Sequence, residues 1–247
     1  MIGRPNVSAE EIGTLIEKDQ VLSAKVLRLA NSPFYGFPSR IASVAHAVVV
    51  LGLNVVKGLT LCATAFDMMR NAGMNELWRH SLGVAMTAHI LGTKAAMKNP
   101  EEVFVAGLLH DIGKVVLYVK WPDVGQQIPT VTRNTSRPLM DTEQELFEVT
   151  HADVGGWLAS AWHLPTSLRE PILHHHTPAA AQDAKLQTAI VHVADVLVKG
   201  LACGNPGDNL VPPLSRQAWD LVGLDAQSLA HCLTQATEEF QTIDDYL

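Results

Sequence analysis

The sequence predicts an all-α fold, in which an N-terminal helical subdomain packs on a second helical core. Nearly every segment places its apolar residues at the spacing of an amphipathic helix, and no run alternates apolar and polar residues as a half-buried strand does. Hydrophobic residues make up 47% of the 247 residues and charged residues only 17%, which is the composition of a well-packed globular protein. Local start and stop signals divide the chain into successive helices.

At least four helices are predicted in the first third of the chain. A capping box, in which a glutamate follows a serine by three residues, begins the first of them over residues 8–18. The second, over residues 23–31, ends before Pro33 and an aromatic, glycine-containing turn. The third covers residues 43–51 and ends at a glycine, and the fourth covers residues 54–72.

The remaining two thirds of the chain continue the helical periodicity. A long helix is predicted over residues 76–97, and an Asn-Pro pair then marks the start of the helix that leads to His110 and Asp111. Shorter helices follow, and a loop rich in glycine and proline near residues 204–213 separates them from a terminal pair. These later helices are predicted over residues 141–147, 153–162, 167–174, 186–200, 215–222 and 226–243.

No flexible linker and no internal repeat divides the chain, which predicts a single unit over residues 1–247. Within that unit we distinguish an N-terminal helical subdomain over residues 1–74 and a core with the candidate site over residues 75–203. Residues 204–247 form the C-terminal helices, which we expect to complete the core.

Charge, cysteine content and missing motifs exclude several classes of function. The formal net charge of −7 and the pI near 5.8, with no local cluster of lysine and arginine, argue against binding to nucleic acid. Cys62, Cys203 and Cys232 lie far apart without a CxxC spacing, as expected of reduced thiols in the cytoplasm. No signal segment begins the sequence, and polar residues interrupt its most apolar stretch, residues 41–66, so we expect a soluble cytoplasmic protein without a membrane partner. Nucleophile elbows, P-loops and dinucleotide fingerprints are absent from the sequence.

The most informative segment is Leu108–Lys114, in which His110 and Asp111 stand side by side at the end of an apolar helical run. Imidazole and carboxylate together suit divalent Fe, Mn, Zn or Ni. Because adjacent side chains on a helix point about 100° apart, we expect that the two cannot both face the core and that they flank a pocket. A buried histidine capped by a carboxylate would have the same sequence, so the pair alone leaves both readings open.

Further histidines and one aspartate stand at positions that could converge on this pair. His80 lies near the start of a long predicted helix, His151 at another predicted helix start, and the triplet His174–His176 at a predicted helix end. Asp195 lies inside an apolar helix, where a carboxylate must be paired or bound to metal. Each residue also has a structural alternative: the triplet suits an exposed helix terminus, and Asp195 could pair with a histidine such as His192.

The order of these residues, His, His-Asp, His, His-His and Asp, resembles that of the HD superfamily of metal-dependent phosphohydrolases. Four sequence blocks, which together cover nearly the whole chain, narrow the resemblance to the HDOD domain. The blocks are Ala24–Ser32 with the Phe-Tyr-Gly that follows, Ile41–Val48 before Leu51 and Gly52, Ala106–Lys114, and Trp162–Pro165 with His175 and His176. The resemblance implies an HD-type helical core and a role as a signalling or regulatory module in bacteria.

The resemblance also implies a site for one or two divalent transition metal ions. In binuclear members of the superfamily the aspartate of the HD pair bridges the ions, and a bridging water is the nucleophile. Similarity to the HD-GYP phosphodiesterases implies one ion held by His80, His110, Asp111 and Asp195, and a second held by Asp111, His151, His175 and His176. Asp111 and Lys114 would be the catalytic residues, with Lys114 meeting a phosphate as a point charge. Glu76 would add a carboxylate.

One departure from the HD-GYP pattern limits the choice of substrate. After His176 the chain continues with Thr-Pro-Ala-Ala-Ala and has no Gly-Tyr-Pro loop. Because that loop helps to shape the dinucleotide site in HD-GYP enzymes, we do not expect hydrolysis of cyclic di-GMP.

Two functions fit the sequence, and the missing loop favours the first. The first is a bacterial signal-transduction domain with a retained metal site and an unidentified signalling protein as partner. Its candidate partner surface is the aromatic turn at residues 34–37, for which the alternative is a turn packed back on the core. The second is a metal-dependent phosphohydrolase that acts on a nucleotide or another phosphate-containing small molecule.

Overall fold

The computed structural model describes residues 16–32, 35, 37, 39–122, 137–208 and 210–241. Within these residues twelve α-helices are described over their full length and no strand is present, which confirms the all-α fold class. The helices are α1 Gln20–Ala30, α2 Val44–Leu51, α3 Leu53–Asn71, α4 Asn75–Lys94, α5 Pro100–Leu109, α6 Ile112–Lys120, α7 Leu139–Phe147, α8 His151–Ala161, α9 Thr166–His174, α10 Lys185–Gly200, α11 Arg216–Val222 and α12 Ala226–Phe240. A short 3-10 helix, Pro178–Ala180, lies between α9 and α10.

Local capping signals set the helix boundaries. The carboxylate of Asp19 accepts hydrogen bonds of 3.0 Å from backbone N–H groups at the start of α1, so this helix begins three residues earlier than predicted. Ser43 caps α2 through the backbone N–H of His46. The predicted helix over residues 8–18 falls almost entirely outside the described residues, as do the last residues of the predicted helix over residues 226–243.

Helix α4 forms the centre of the core. Fourteen of its twenty residues are buried, and its largest contacts are with α5 and α10. Gly107 of α5 lies so close to α4 that a Cβ on it would approach the Cα of Ala85 to 2.7 Å. This close approach places His110, at the end of α5, beside His80 of α4, with their ring centroids 5.3 Å apart.

A second close contact joins α6 to α8. A Cβ added to Gly113 would lie 1.9 Å from the backbone oxygen of His151, so only a glycine allows the two helices to meet at this distance. Because Asp111 immediately precedes α6 and His151 is the first residue of α8, the contact brings these two side chains together.

The N-terminal helices pack on the same core. Helices α1 and α2 lie against α3, and α3 lies against α5. Tyr35, from the aromatic turn, is only 7% exposed and packs against Phe37, His89 and Phe104, so at this residue the turn folds back on the core. The neighbouring Phe34 lies outside the described residues.

The C-terminal helices complete this core, as α11 packs on α10 and α12 packs on α4. A continuous cluster of buried apolar side chains extends from Val26 in α1 to Ala236 in α12. None of the described helices combines the length and hydropathy that crossing a bilayer requires.

Candidate metal centre

The helical run that leads to His110 and Asp111 is interrupted at this pair. Helix α5 ends at Leu109, His110 is its C-terminal cap, and Asp111 has left helical backbone geometry (φ −97°, ψ 12°) before α6 begins. His110 is 0% exposed and Asp111 is 1% exposed. The expectation that the two cannot both face the core is therefore wrong, because it assumed one unbroken helix.

The seven residues predicted to bind metal lie together around this break. They come from α4, the α5–α6 junction, the start of α8, the end of α9 and the middle of α10. Their donor atoms form three overlapping groups, and within each group all atoms lie within 4.8 Å of one another. The groups are His80, His110 and Asp195; His110, Asp111 and His175; and His151, His175 and His176.

Asp111 stands between the two halves of the cluster. Its Oδ2 lies 3.2 Å from Nε2 of His110 and 3.8 Å from Nε2 of His80. Its Oδ1 lies 3.2 Å from Nε2 of His151 and 3.8 Å from Nε2 of His175. Each carboxylate oxygen therefore faces a different pair of imidazoles, which is the arrangement that a bridging carboxylate needs.

Two further donor pairs lie at the ends of the cluster. Oδ1 of Asp195 is 3.0 Å from Nε2 of His80, and Nε2 of His151 is 3.0 Å from Nε2 of His176. Two ligand atoms bound at right angles to one ion, each about 2.1 Å away, lie about 3 Å apart. Both separations therefore suit neighbouring ligands of a metal ion.

Hydrogen bonds to the Nδ1 atoms hold three of the imidazole rings in place. The ring N–H of His110 donates to the carbonyl of Gly107 at 2.7 Å, and that of His175 donates to the carbonyl of Ile172 at 2.9 Å. His151 donates in the same way to the buried carboxylate of Glu143. In the neutral imidazole these bonds select the tautomer in which Nδ1 carries the hydrogen and Nε2 has the free lone pair.

Seven nitrogen and oxygen atoms of the cluster are buried without a hydrogen bond of acceptable geometry. They are both ring nitrogens of His80, Nε2 of His110, Nε2 of His175, Oδ1 of Asp111 and both carboxylate oxygens of Asp195. Buried polar atoms are normally satisfied, because leaving one unpaired costs about 1–3 kcal/mol. Imidazole nitrogen and carboxylate oxygen are also the ligands that first-row divalent metals prefer, so the residues present fit such ions.

Burial keeps most of the histidines in the form that binds metal. Burial is the largest influence that lowers the pKa of His80, His175 and His176, so these imidazoles stay neutral. His110 differs: burial lowers the pKa of its imidazole, but the combined effects of Asp111, Asp195 and the carbonyl of Gly107 outweigh burial and raise it. A metal ion would compete with that proton for Nε2 of His110.

The two aspartates are held in their ionised form. Burial by itself would raise the pKa of each carboxyl group. For Asp111, the charges of His110 and Lys114 outweigh burial and hold the pKa well below its usual range. For Asp195, Lys199 together with His80 and His110 has the same effect. An ionised carboxylate is the form that binds a cation.

Each of these aspartates has a lysine about one helical turn further along the chain. The ammonium group of Lys114 donates to Oδ2 of Asp111 at 2.7 Å, and that of Lys199 lies 3.7 Å from Oδ2 of Asp195. Both lysine side chains are buried. The cluster thus combines fixed cations with its carboxylates.

A cavity of about 280 Å³ opens beside the cluster. Lys114, Lys199, His151 and His176 line one side of it, and most of the remaining wall is apolar. The cavity therefore reaches two of the seven candidate ligands, His151 and His176.

The structure also separates some predicted residues from the cluster. Glu76, which the resemblance suggested as a further carboxylate, is exposed and belongs to none of the three groups of donor atoms. His192 does not bond to Asp195; its ring instead contacts the backbone carbonyl of His175 at 2.7 Å and accepts from the N–H of Ser215. Its position thus supports the loop that carries His175.

Two buried charged residues of the site are absent from the sequence prediction. Glu143 belongs to a helix whose sequence, Leu-Met-Asp-Thr-Glu-Gln-Glu-Leu-Phe, gives no sign of which carboxylate is buried. The place of Lys199 beside the site could have been predicted from the sequence, because this lysine follows Asp195 by four residues and so lies on the same helix face.

The helical fold and the buried cluster define this chain as an all-α protein with histidine and aspartate side chains gathered in its core. The family model of the HDOD domain matches residues 1–178, well over half of the chain. The chain belongs to the HDOD family. Asp195 and Lys199 lie beyond the matched residues.

Two curated bacterial relatives share part of this sequence. An uncharacterised protein of Treponema pallidum is 25% identical over 215 residues, which are 85% of this chain and 42% of the relative. The uncharacterised protein YuxH of Bacillus subtilis is 24% identical over 128 residues, which are 51% of this chain and 31% of the relative. The chain therefore spans less than half the length of these relatives.

Solved structures share the fold. An HDOD domain protein of unknown function from Geobacter sulfurreducens is 28% identical, with a TM-score of 0.77, and the match covers 100% of this chain and 89% of that one. A candidate signal transduction protein from Marinobacter aquaeolei is 21% identical, with a TM-score of 0.69 and coverage of 99% and 55%. A candidate metal-dependent phosphohydrolase from Shewanella amazonensis is 20% identical, with a TM-score of 0.58 and coverage of 95% and 87%.

Proposed function

We propose that this HDOD domain is a bacterial signal-transduction module built around a binuclear centre of divalent transition metal ions. The observation that carries the proposal is the set of seven buried donor atoms without hydrogen bonds. One ion would be held by His80, His110, Asp111 and Asp195, and the other by Asp111, His151, His175 and His176. Mixed imidazole and carboxylate ligands favour Fe, Mn, Zn or Ni over Mg or Ca.

In this proposal the ions link helices that are distant in sequence. The ligands come from α4, α8, α9 and α10 as well as from the α5–α6 junction, so metal binding stabilises one arrangement of these helices. A signalling protein partner would bind to the surface that this arrangement of helices creates. The three free, buried cysteines fit a reducing compartment, and we include a cytoplasmic location in the proposal.

A second candidate function is a metal-dependent phosphohydrolase, and the cavity beside the cluster favours it. A purely structural metal site is closed by protein ligands, whereas this cavity reaches His151, His176 and Lys114. When bound, two ions supply an activated water and neutralise the charge of phosphate oxygens. Asp111 would hold the centre together, and the ammonium group of Lys114 would bind one phosphate oxygen. The water oxygen bonds to phosphorus, the ester P–O bond breaks, and the alcohol leaves with a proton from the water.

The test of the centre is metal content, measured by mass spectrometry on protein purified without chelator and without a polyhistidine tag. We expect about two equivalents of transition metal in the wild type and almost none in Asp111→Ala, because Asp111 contributes to both ions. Asp220→Ala, an exposed aspartate in a surface ion pair, is the control and keeps its metal. A folded wild type without metal contradicts the proposal.

The two functions differ in turnover. The metal-loaded protein is incubated with bis(4-nitrophenyl) phosphate, and release of nitrophenol is compared between the wild type and Asp111→Ala. Turnover that Asp111→Ala abolishes supports the hydrolase. A metal-loaded wild type without turnover on this and other phosphate esters supports the signalling module alone. Full turnover by Asp111→Ala contradicts the catalytic assignment of Asp111.

A further inference from the structure

Lys199 is a buried cation at the edge of the candidate centre that the proposed metal ligation does not use. Its side chain is 8% exposed, and its ammonium group lies 3.7 Å from Oδ2 of Asp195. That separation is longer than a normal N–H···O hydrogen bond, so the N–H groups of the ammonium remain available to another acceptor. The side chain also lines the cavity of about 280 Å³.

Two carboxylates are the acidic neighbours of Lys199. That of Asp195 lies 3.7 Å from the ammonium group, and Asp208 lines the same cavity. A metal ion bound to Asp195 would balance the charge of that carboxylate and leave the charge of Lys199 available to an anion.

Lys114 and Lys199 line the same cavity, and His151 and His176 lie on its wall with them. Two buried ammonium groups beside one cavity favour an anion with several oxygen atoms, such as a phosphate or phosphonate group. Lys114 belongs to the HD segment itself. Lys199 lies beyond the residues that match the family, so family membership does not assign it a role.

Apart from the carboxylate of Asp208, the rest of the cavity wall is apolar. It comprises Pro138, Leu139 and Met140 and the residues 210–213 of the loop after α10. Oδ2 of Asp208 accepts a hydrogen bond of 2.9 Å from the backbone N–H of Leu139. A nucleobase needs several polar groups for its recognition, and this wall offers few.

The volume of the cavity also limits the size of the ligand. Its volume of about 280 Å³ lies at the lower end of the range for small-molecule sites. A single phosphate with a short alkyl or aryl group suits this volume better than a dinucleotide.

We propose that Lys199 determines ligand specificity in this cavity, where it and Lys114 bind the phosphate of a small ester whose apolar end packs on Leu210–Pro213. This inference rests on the proposed metal centre, since ions at Asp111 and Asp195 release the two lysines from their carboxylates. The inference adds a substrate or effector class to that centre, namely alkyl and aryl phosphates.

Isothermal titration calorimetry with two non-hydrolysable probes tests this inference. Phenylphosphonate and methylphosphonate share the anionic group and differ in the apolar one. The metal-loaded wild type should bind phenylphosphonate about tenfold more tightly, because the ring is removed from water. It should also bind phenylphosphonate more tightly than guanosine 5′-monophosphate. Equal affinity for the two phosphonates, or tighter binding of the nucleotide, overturns the apolar part of the inference.

Variants of the protein test separately how the phosphate end and the apolar end of the ligand are bound. Lys199→Met should weaken binding of both phosphonates about tenfold, because a charge-assisted hydrogen bond is lost. Lys185→Met, an exposed lysine on the same helix, is the matched control and should bind as the wild type does. Val211→Ser, at a position 52% exposed, should reduce the preference for phenylphosphonate and leave the affinity for methylphosphonate unchanged. Wild-type affinities in Lys199→Met overturn the role of Lys199.

The metal content of every sample distinguishes failure of this inference from failure of the proposed function. Lys199→Met should keep the metal content of the wild type, because Lys199 is not a ligand and a bound ion itself keeps the carboxylate of Asp195 ionised. A metal-loaded wild type that binds neither phosphonate contradicts only the ligand pocket. If the wild type holds no metal, the proposed function fails, and the same titrations on the metal-free protein test the ligand pocket. Phosphonate binding that depends on Lys199 supports the pocket, and the absence of such binding overturns it.

Discussion

The carboxylate of Glu143 accepts two hydrogen bonds from His151, one from the backbone N–H at 2.9 Å and one from ring Nδ1–H at 2.5 Å. Glu143 is fully buried in α7, and His151 is the first residue of α8. A carboxylate can only accept, so the shared proton lies on Nδ1 and the lone pair of Nε2 faces Asp111. Glu143 thereby fixes both the position and the tautomer of a candidate metal ligand.

Replacing Glu143 should weaken metal binding without removing a ligand. We expect Glu143→Ala to lower metal affinity about 10- to 100-fold, because the ring of His151 loses its orientation and some basicity. Glu143→Gln should lose less, since its amide oxygen still accepts from Nδ1. Competition with a chromogenic chelator measures the affinity. Glu145→Ala, at an exposed position two residues away, is the control, and equal affinities in all four proteins would contradict this role.

Gly113 is the second position on which the site geometry depends. A Cβ there would lie 1.9 Å from the backbone oxygen of His151, so Gly113→Ala must push α6 and α8 apart. We expect a loss of about 3 kcal/mol in the free energy of unfolding by urea, together with a lower metal content, because Asp111 and His151 separate. Gly200→Ala is the matched control. No atom lies within 4 Å of the added Cβ, so this helical glycine should instead gain about 0.5–1 kcal/mol.

The helices could be predicted from the sequence because apolar periodicity is a local signal. The candidate ligands, such as His80, His110 and Asp195, could be predicted because the order of these residue types along the chain carries the family resemblance. The burial of Glu143 and not Glu145 depends on how α7 packs, which no local pattern encodes. The positions of these side chains relative to one another therefore depend on tertiary packing and could not be predicted from the sequence.

The interruption of the helix between His110 and Asp111 also depends on tertiary packing. An apolar run through this segment predicts one helix, and the rule of 100° per residue then separates the two side chains. Packing of Gly113 on α8 and of Gly107 on α4 requires a change of direction between them. The glycines were visible in the sequence, but the residues they contact, His151 for Gly113 and Ala85 for Gly107, are 38 and 22 residues away in the chain and cannot be inferred from spacing.

Glu170 holds the segment between α9 and α10 in place. Its buried carboxylate accepts hydrogen bonds from the backbone N–H groups of Gln182, Asp183 and Ala184, at distances from 2.8 to 3.3 Å. We expect Glu170→Ala to lose about 3 kcal/mol in the free energy of unfolding, since three backbone N–H groups, of which that of Ala184 is buried, lose a charged acceptor.

The measurement is urea denaturation followed by circular dichroism, with metal content determined in parallel. Metal content should also fall, because His175 lies between the two ends of this hydrogen-bonded segment. Glu170→Gln keeps one acceptor oxygen and should lose less, and Glu238→Ala, on an exposed face of α12, should behave as the wild type does. An unchanged stability of Glu170→Ala would show that water replaces the carboxylate.

His89 should make the stability of the protein depend on pH. Its ring packs edge-on against Tyr35 and Phe104, and burial lowers its pKa to about 4. In the unfolded chain the pKa of histidine is about 6.5. Between these two values the unfolded state binds a proton that the folded state does not bind, so the stability contributed by neutral His89 is lost as the pH falls from 6.5 to 4.

Replacement of His89 isolates this contribution from that of the other histidines whose pKa burial lowers. The free energy of unfolding of the wild type should fall by up to about 3 kcal/mol more than that of His89→Gln between pH 7 and pH 4. Urea denaturation at pH 7, 5.5 and 4 measures both proteins. His46→Gln, at an exposed position of α2, should keep the wild-type dependence. Parallel curves for the wild type and His89→Gln would contradict the lowered pKa, because a histidine with the same pKa in both states contributes no slope.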